Sequence, residues 1–230
     1  MKLLTIDTST TACSVALCCD GELVSEYLVS QGKTLTSRLL SCVDTVLRGA
    51  GLSAADLDGF GVALGPGSFT GLRVGIATVK GMAMAAGKPV AGFSSLAMLA
   101  MNLPWASHPV CPMFDARKKE VYAGMYECRR LPLTLVPDCV ASPEVFLDKL
   151  TGPVIVVGEG AVRYRELIIA RLGEKALFAP SSAHLPRASA GALLVADAFA
   201  RGETVPLAHL LPAYIRPSEA ELAKMNRQVL

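Results

Sequence analysis

The sequence GPGSFTGLRVG at Gly65–Gly75 is the stretch that constrains the fold of this chain most strongly. It follows an apolar run, Phe60–Leu64, that predicts a buried strand. It then opens a long segment without proline, Leu72–Ala86, that predicts a helix. The proline fixes one φ angle at the junction, and the glycines on either side can adopt positive φ. The stretch therefore predicts a tight turn from a strand into a helix, with Ser68 or Thr70 capping the helix.

This turn has two interpretations. A helix N-terminus offers unpaired backbone N–H groups and the positive end of the helix dipole, so the turn can form a cradle for an anion. Alternatively, the turn is only a tight joint between a strand and a helix. Gly65, Gly67 and Gly71 miss the dinucleotide-binding spacing G-x-G-x-x-G by one residue, and no Gly-Lys-Ser/Thr sequence completes a P-loop. The spacing therefore favours the joint.

The predicted helix is apolar around nearly its whole circumference. Its apolar members are Leu72, Val74, Ile76, Val79, Met82 and Met84, and its clearly polar members are Arg73, Thr78 and Lys80. Small residues recur every four positions in two rows, which are Gly71 and Gly75, and Ala77, Gly81 and Ala85. A helix of this kind must be covered nearly all round, which a helix on one sheet cannot achieve within its own chain. The pattern predicts that a partner protein covers part of it.

Composition indicates a folded protein with a substantial core. Of the 230 residues, 52% are hydrophobic and 18% are charged, which excludes extensive disorder. The net charge of +2 is too small for electrostatic binding to tRNA or DNA to be the main role. The basic clusters Arg117-Lys118-Lys119 and Arg129-Arg130 are predicted to be solvated loop or strand-edge residues.

The cysteines and the N-terminal sequence predict a cytosolic protein. The seven cysteines include no C-x-x-C pair and lie mostly in apolar runs, as buried reduced thiols do. We expect no signal peptide, because Asp7 interrupts the first apolar run. We also expect no membrane span, because no apolar run approaches about 18 residues.

The order of predicted elements describes the same α/β unit twice. In the first unit, strands are predicted at 2–6, 12–19, 22–30, 59–64 and 90–91, with helices at 34–48, at 72–86 and from 94 or 95 to 103. In the second, strands are predicted at 110–114, 120–128, 133–140, 154–157 and 176–178, with helices at 142–150, 161–172 and 189–201. We expect two lobes, 1–104 and 105–230, around a cleft. Asp7 and Asp115 close the first strand of each unit and are expected to face each other across that cleft.

This plan resembles the duplicated ribonuclease-H-like fold (actin-like ATPase or ASKHA fold) of actin, the sugar kinases and the Hsp70 ATPase. Within that group the chain resembles the TsaB family, formerly YeaZ, the dimerisation subunit of the bacterial machinery that makes N6-threonylcarbamoyladenosine in tRNA. The matching segments are LLTIDTSTTACSVAL at Leu3–Leu17, TSRLLSCVDTVL at Thr36–Leu47, GPGSFTGLRVGIATVKGMA at Gly65–Ala83, DARKKEVYAGMY at Asp115–Tyr126 and PAYIRP at Pro212–Pro217. The resemblance extends over essentially the whole chain.

The resemblance implies a pseudo-enzyme that binds and positions a TsaD-like catalytic subunit. TsaD carries an H-x-x-x-H metal pair on its first long helix, whereas the corresponding helix here, Lys33–Leu47, has no histidine. His108, His184 and His209 lie far apart in predicted loops, so we expect no catalytic residues, no metal and no required cofactor. The resemblance further implies a TsaE-like ATPase in the larger complex and a homodimer when the partner is absent. Contact with tRNA is expected to be indirect, and no membrane contact is expected.

The resemblance also places the partner interface on the first two long helices, which in the family pack against the equivalent helices of TsaD. The residues that it implies here are Leu35, Leu39, Val43, Val46, Leu72, Gly75, Ile76, Val79 and Met82. Burying one exposed side chain of this kind contributes about 1.5–3 kcal/mol, so several can offset the cost of association.

Two other functions compete with this one. The first is an active ATPase or kinase, because Asp7, Ser9, Thr10 and Asp115 lie where the actin-like group holds phosphate and magnesium. No residue stands out as its catalytic base, so weak binding of ATP and Mg²⁺ and a purely structural role for the two aspartates both stay open. The second is a homodimeric scaffold unrelated to tRNA.

Overall fold

A computed structural model describes residues 1–30 and 38–216, in which ten strands form two five-stranded sheets. The first sheet has the order β3-β2-β1-β4-β5 and contains β1 (Lys2–Asp7), β2 (Cys13–Cys19), β3 (Glu22–Val29), β4 (Gly59–Gly65) and β5 (Val90–Ser94). The second has the order β10-β9-β6-β7-β8 and contains β6 (Val110–Arg117), β7 (Glu120–Cys128), β8 (Pro132–Ala141), β9 (Val154–Val157) and β10 (Ala176–Phe178). In both sheets the first three strands are antiparallel and the last two are parallel to the first. The two sheets share one topology, which confirms the predicted duplication.

Helices follow the strands in the predicted order. They are α1 (Leu39–Gly49), α2 (Phe69–Ala86), α3 (Ser95–Ala100), α4 (Pro143–Leu147), α5 (Glu159–Arg163), α6 (Arg165–Leu172) and α7 (Ala188–Ala200). The single helix predicted at 161–172 is wrong, because the backbone leaves helical geometry at Tyr164, between α5 and α6. The start predicted for the first helix, at Thr34 or Thr36, lies outside the described residues. No helix within the described ranges is long and apolar enough to cross a membrane.

Serine side chains begin several of these helices. The Ser68 hydroxyl accepts a hydrogen bond of 3.2 Å from a backbone N–H in the first turn of α2, which selects Ser68 over Thr70 as the cap. Ser94 and Ser142 cap α3 and α4 in the same way. Gly87 ends α2 with φ of +63°, a left-handed conformation in which glycine has no steric penalty. The boundaries of these helices therefore follow from local residue chemistry.

The helices do not all pack against the sheet that is nearest to them in sequence. Side chains of α1 and α2 form a core on one face of the first sheet. The other face packs against α7. The Phe199 ring lies against Gly59 of β4 and a Val195 methyl group lies against Gly61. A Cβ on either glycine would lie within 2.6 Å of these carbon atoms. Helix α3, in turn, packs against the second sheet. Residues 188–200 therefore cover the first lobe although they follow the second sheet in sequence.

The last described segment joins the two lobes. The Ala213 backbone N–H donates to the Leu64 carbonyl at 2.8 Å, which ties the segment to the end of β4. Three residues later, the Arg216 guanidinium donates to the Ala116 carbonyl at 2.8 Å and pairs with Glu120, both in the second lobe. We call residues 212–216 the C-terminal strap. It connects the lobes at the edge of the cleft between them.

Candidate functional site

A cleft of about 760 Å³ lies between the lobes. The first lobe contributes the loop after β1 and the N-terminus of α2, and the second contributes the end of β6 and the start of α5. The strap forms part of the wall. The polar and aromatic residues that line it include Ser9, Thr10, Phe69, Arg73, Asp115, Arg117, Glu159 and Tyr214.

The glycines of the Gly65–Gly75 stretch let the loop after β1 pack directly onto α2. A Cβ on Gly67 would lie 2.2 Å from the Ser9 carbonyl oxygen, and one on Gly71 would lie 2.0 Å from the Thr8 carbonyl oxygen. A Cβ on Gly75 would lie 2.3 Å from the Thr8 hydroxyl, which donates a 2.8 Å hydrogen bond to the Gly71 carbonyl. This contact explains the row Gly71 and Gly75 within the chain. The stretch is therefore a tight joint, as its spacing favours.

Asp7 does not line the cleft. Its side chain is fully buried, one oxygen accepts the Ser9 backbone N–H at 3.1 Å, and the other has no hydrogen-bond partner among the described residues. Burial raises the pKa of Asp7 to about 6. The prediction that Asp7 faces Asp115 across the cleft is wrong, because β1 buries Asp7 beneath the loop that follows it. Ser9 and Thr10, by contrast, do line the cleft.

Asp115 lines the cleft but is held by arginines. One of its oxygens accepts from Arg163 at 2.7 Å and lies 3.5 Å from the Arg117 guanidinium, and the other accepts the Arg117 backbone N–H at 3.0 Å. Glu159 lies nearby, and burial together with the charge of Asp115 raises the pKa of Glu159. Within residues 1–30 and 38–216, no group of three or more His, Cys, Asp or Glu side chains is placed to hold a metal ion. The Asp115 carboxylate is therefore engaged in ion pairs at the cleft wall.

An aromatic pair and an arginine form the first-lobe edge of the cleft. The rings of Phe69 and Tyr214 stack with centroids 4.9 Å apart. The Arg73 guanidinium lies 3.7 Å from the centroid of Phe69 and donates to the Tyr214 hydroxyl at 2.8 Å. No local pattern in the sequence predicts this cluster. The PAYIRP segment was the available signal, but nothing in its spacing showed that Tyr214 returns to the start of α2.

The residues that the family resemblance assigns to the partner interface are mostly buried in the chain's own first-lobe core. Leu39, Val43, Val46, Leu72, Ile76 and Val79 are at most 5% exposed. Gly75 is buried against Thr8, Met82 is half-buried against the same core, and Leu35 lies outside the described residues. The prediction that these buried side chains contact a partner is wrong, because a helix that is apolar on all sides gives no sequence signal for its inner face.

A different face of α2 is open. It carries the exposed residues Ala77, Gly81, Met84 and Ala85 and the half-buried Val74, which packs in part against the first-lobe core; we call these residues the outer face of α2. Met84 is 74% exposed, and among the described residues no atom lies within 4 Å of a Cβ placed on Gly81. The outer surface of α1 is more polar and carries the ion pair between Asp44 and Arg48. The uncovered apolar surface that the sequence predicts therefore exists, on the small-residue row Ala77, Gly81 and Ala85.

Comparison with known proteins finds relatives along nearly the whole chain. A family model described as "TsaD: tRNA N6-adenosine threonylcarbamoyltransferase" matches residues 23–221. The Bacillus subtilis tRNA threonylcarbamoyladenosine biosynthesis protein TsaB is 32% identical over 232 residues, which cover 99% of this chain and all of the relative. The solved structure of YeaZ from Pseudomonas aeruginosa has a TM-score of 0.80 at 32% identity, covering 93% of this chain and 99% of that one. The fold alone is shared with the (R)-2-hydroxyglutaryl-CoA dehydratase component A of Acidaminococcus fermentans. Its structure has a TM-score of 0.56 at 16% identity, covering 87% of this chain and 99% of that one.

Proposed function

The chain belongs to the TsaB family of tRNA threonylcarbamoyladenosine biosynthesis proteins, and on that basis we propose that it is a non-catalytic subunit of this pathway. In this proposal it binds a TsaD-like threonylcarbamoyltransferase and positions it for the reaction, in the cytosol. A TsaE-like ATPase joins the larger complex. Two copies of the chain pair through the same surface when the partner is absent.

Gly81 is the observation that carries this proposal. Glycine in the middle of a helix costs about 0.8–1.0 kcal/mol relative to alanine, so its presence calls for a reason. At Gly71 and Gly75 the reason is Thr8, because a Cβ at either position would clash with it. Nothing in the described part of the chain supplies one for Gly81, which lies in the middle of an exposed apolar face. Close approach of a partner's backbone accounts for a glycine at this place.

The polar residues of the chain support a non-catalytic role. The sequence contains no H-x-x-x-H metal pair, and its three histidines are scattered. His184 is hydrogen-bonded to the backbone, since its Nδ1 accepts the Gly158 N–H at 3.0 Å. Asp115, which lines the cleft together with Glu159, is held by Arg163. These side chains have structural partners within the chain.

Reconstitution tests the proposal. The purified chain is mixed with the TsaD-like subunit of the same organism, and the mass of the complex is measured by size-exclusion chromatography with light scattering. Incorporation of labelled threonine into tRNA is then followed for each protein alone and for the mixture with the remaining components of the pathway. We expect a stable complex and incorporation only when both proteins are present. Incorporation by the chain without the TsaD-like subunit, or failure to form a complex, would contradict the proposal.

A second candidate function is an ATPase or kinase of the actin-like group, with weak ATP and Mg²⁺ binding in the cleft. Ser9 and Thr10 favour it, because they line the cleft beside the N-terminus of α2, where unpaired N–H groups suit a phosphate. The burial of Asp7 opposes it, since that carboxylate cannot reach a metal in the cleft. Calorimetry with ATP and Mg²⁺ decides between the two. Sub-millimolar binding with turnover by the chain alone would favour the kinase.

A further inference from the structure

The turn between β6 and β7 has an unusual composition for its geometry. Arg117 pairs with Glu120, so the turn consists of Lys118 and Lys119. The φ angles of Arg117, Lys118 and Lys119 are +62°, +51° and +61°, which places three consecutive residues with long side chains in the left-handed region. Each such residue costs free energy, because its Cβ crowds the following carbonyl oxygen. Two-residue hairpin turns with positive φ strongly prefer Asn-Gly or Asp-Gly for this reason.

Another hairpin in the same protein shows the usual solution. The turn between β2 and β3 is Asp20-Gly21, with φ angles of +52° and +86°. A two-residue turn with positive φ at both positions is therefore made with a favoured residue pair in the first lobe and with two lysines in the second. Turn stability therefore does not account for the two lysines, and both add positive charge to this turn.

The lysine turn lies at the edge of the inter-lobe cleft. Arg117 lines the cleft and is followed directly by the two exposed lysines. On the opposite edge, Arg73 lies beside the stacked rings of Phe69 and Tyr214. We call Arg73, Arg117, Lys118 and Lys119 the cationic rim. Asp115 and Glu159 lie near Arg117 and offset part of its charge, but Asp115 is shared with Arg163, and Glu120 is paired with Arg216.

We propose that the cationic rim binds the phosphate backbone of an RNA strand, with Tyr214 beside it as a stacking surface for a base. Lysine and arginine bind phosphates with release of counterions, and single-stranded RNA is recognised by aromatic rings next to cations. This inference rests on the proposed function, since the pathway of the relatives acts on tRNA. It assigns the chain a direct contact with tRNA, in place of the indirect contact that the sequence predicts.

The double variant Lys118→Asn, Lys119→Gly tests the proposal with two readouts of opposite sign. It removes two positive charges and installs the turn sequence that the backbone prefers, so the melting temperature should rise. Binding of an unmodified, fluorescently labelled tRNA transcript, measured by anisotropy at several salt concentrations, should weaken. The logarithm of the association constant decreases linearly with the logarithm of the salt concentration. The magnitude of this slope should be smaller by about 1.4–1.8 in the variant, as expected for two lost phosphate contacts.

The control variant removes the same charge elsewhere. Arg129→Gln, Arg130→Gln lies at the turn between β7 and β8, and neither residue lines the cleft. We expect this variant to bind tRNA as the wild type does. Equal weakening by both double variants would show that net charge alone is responsible, and unchanged binding in the lysine variant would likewise overturn the proposal.

Two further measurements separate this proposal from its alternatives. Titration with ATP and Mg²⁺ tests whether the rim binds the phosphates of a nucleotide instead of those of RNA. If the lysine variant loses ATP binding but still binds tRNA normally, the assignment to RNA is wrong. Complex formation with the TsaD-like subunit is measured for the same proteins. A wild-type chain that fails to form the complex contradicts the proposed function. A lysine variant that forms the complex and binds tRNA normally contradicts only the role of the cationic rim.

Discussion

Replacing Gly81 by alanine and by leucine tests the outer face of α2 as a partner surface. Alanine adds a Cβ that meets no atom within 4 Å in residues 1–30 and 38–216, so it introduces no steric clash with them. It also removes the helix penalty of glycine, a gain in the free energy of unfolding of about 0.8–1.0 kcal/mol. For a chain of 230 residues this corresponds to a rise in melting temperature of roughly 2–4 °C.

The expected effect on binding has the opposite sign. If a partner helix packs against Gly81, a leucine side chain at that position holds the two backbones apart and opens gaps beside Ala77 and Ala85. We expect the dissociation constant for the TsaD-like subunit to rise at least tenfold for Gly81→Leu, a loss of about 1.4 kcal/mol, with Gly81→Ala between it and the wild type. Isothermal titration calorimetry measures the binding, and thermal unfolding of the chain alone measures the stability.

Ala170→Leu supplies the control, because Ala170 is an exposed residue of α6 in the second lobe. It adds the same apolar side chain to a helix surface away from α2, so binding should match that of the wild type. Wild-type affinity in Gly81→Leu would refute the reasoning. So would a lower stability of Gly81→Ala, because it would mean that the chain itself fills the space beside Gly81.

Two further predictions concern residues beside the joint between β1 and α2. Gly71→Ala should lower the free energy of unfolding by about 1–3 kcal/mol in urea titrations, because the new Cβ would lie 2.0 Å from the Thr8 carbonyl oxygen. Alanine has the higher helix propensity, so a gain in stability would contradict this packing. Burial raises the pKa of Asp7 from 3.8 to about 6. Its contribution to the free energy of unfolding is therefore fully present below about pH 4 and is lost as the pH rises through about 6. This loss amounts to roughly 3 kcal/mol. Asp7→Asn should flatten stability over this pH range in urea titrations, and an unchanged pH dependence would rule out Asp7 as its source.

The architecture was readable from the sequence because its boundaries are set by local chemistry. Ser68 and Gly87 begin and end α2 through a hydroxyl cap and a left-handed glycine, and both signals act within a few residues. Asp20-Gly21 marks the first hairpin in the same way. The strand order then follows from repeating one unit, and both sheets have that order.

The details of the site depend on contacts between distant residues, which the sequence does not encode in a local pattern. The row Gly71 and Gly75 and the row Ala77, Gly81 and Ala85 look alike in sequence, yet the first faces Thr8 and the second faces outward. Asp7 closes a strand as predicted, but its burial depends on packing that no local pattern specifies. The stacking of Tyr214 on Phe69 joins residues 145 positions apart.

The position of α7 has a consequence for synthesis of the protein on the ribosome. Strand β5 ends at Ser94, and the helix that covers the second face of its sheet begins only at Ala188. At about 5–20 residues per second, the first sheet therefore waits roughly 5–20 s, with one apolar face uncovered, before that helix has been translated. During this interval the apolar face of the nascent first lobe is a surface that a chaperone can protect from aggregation.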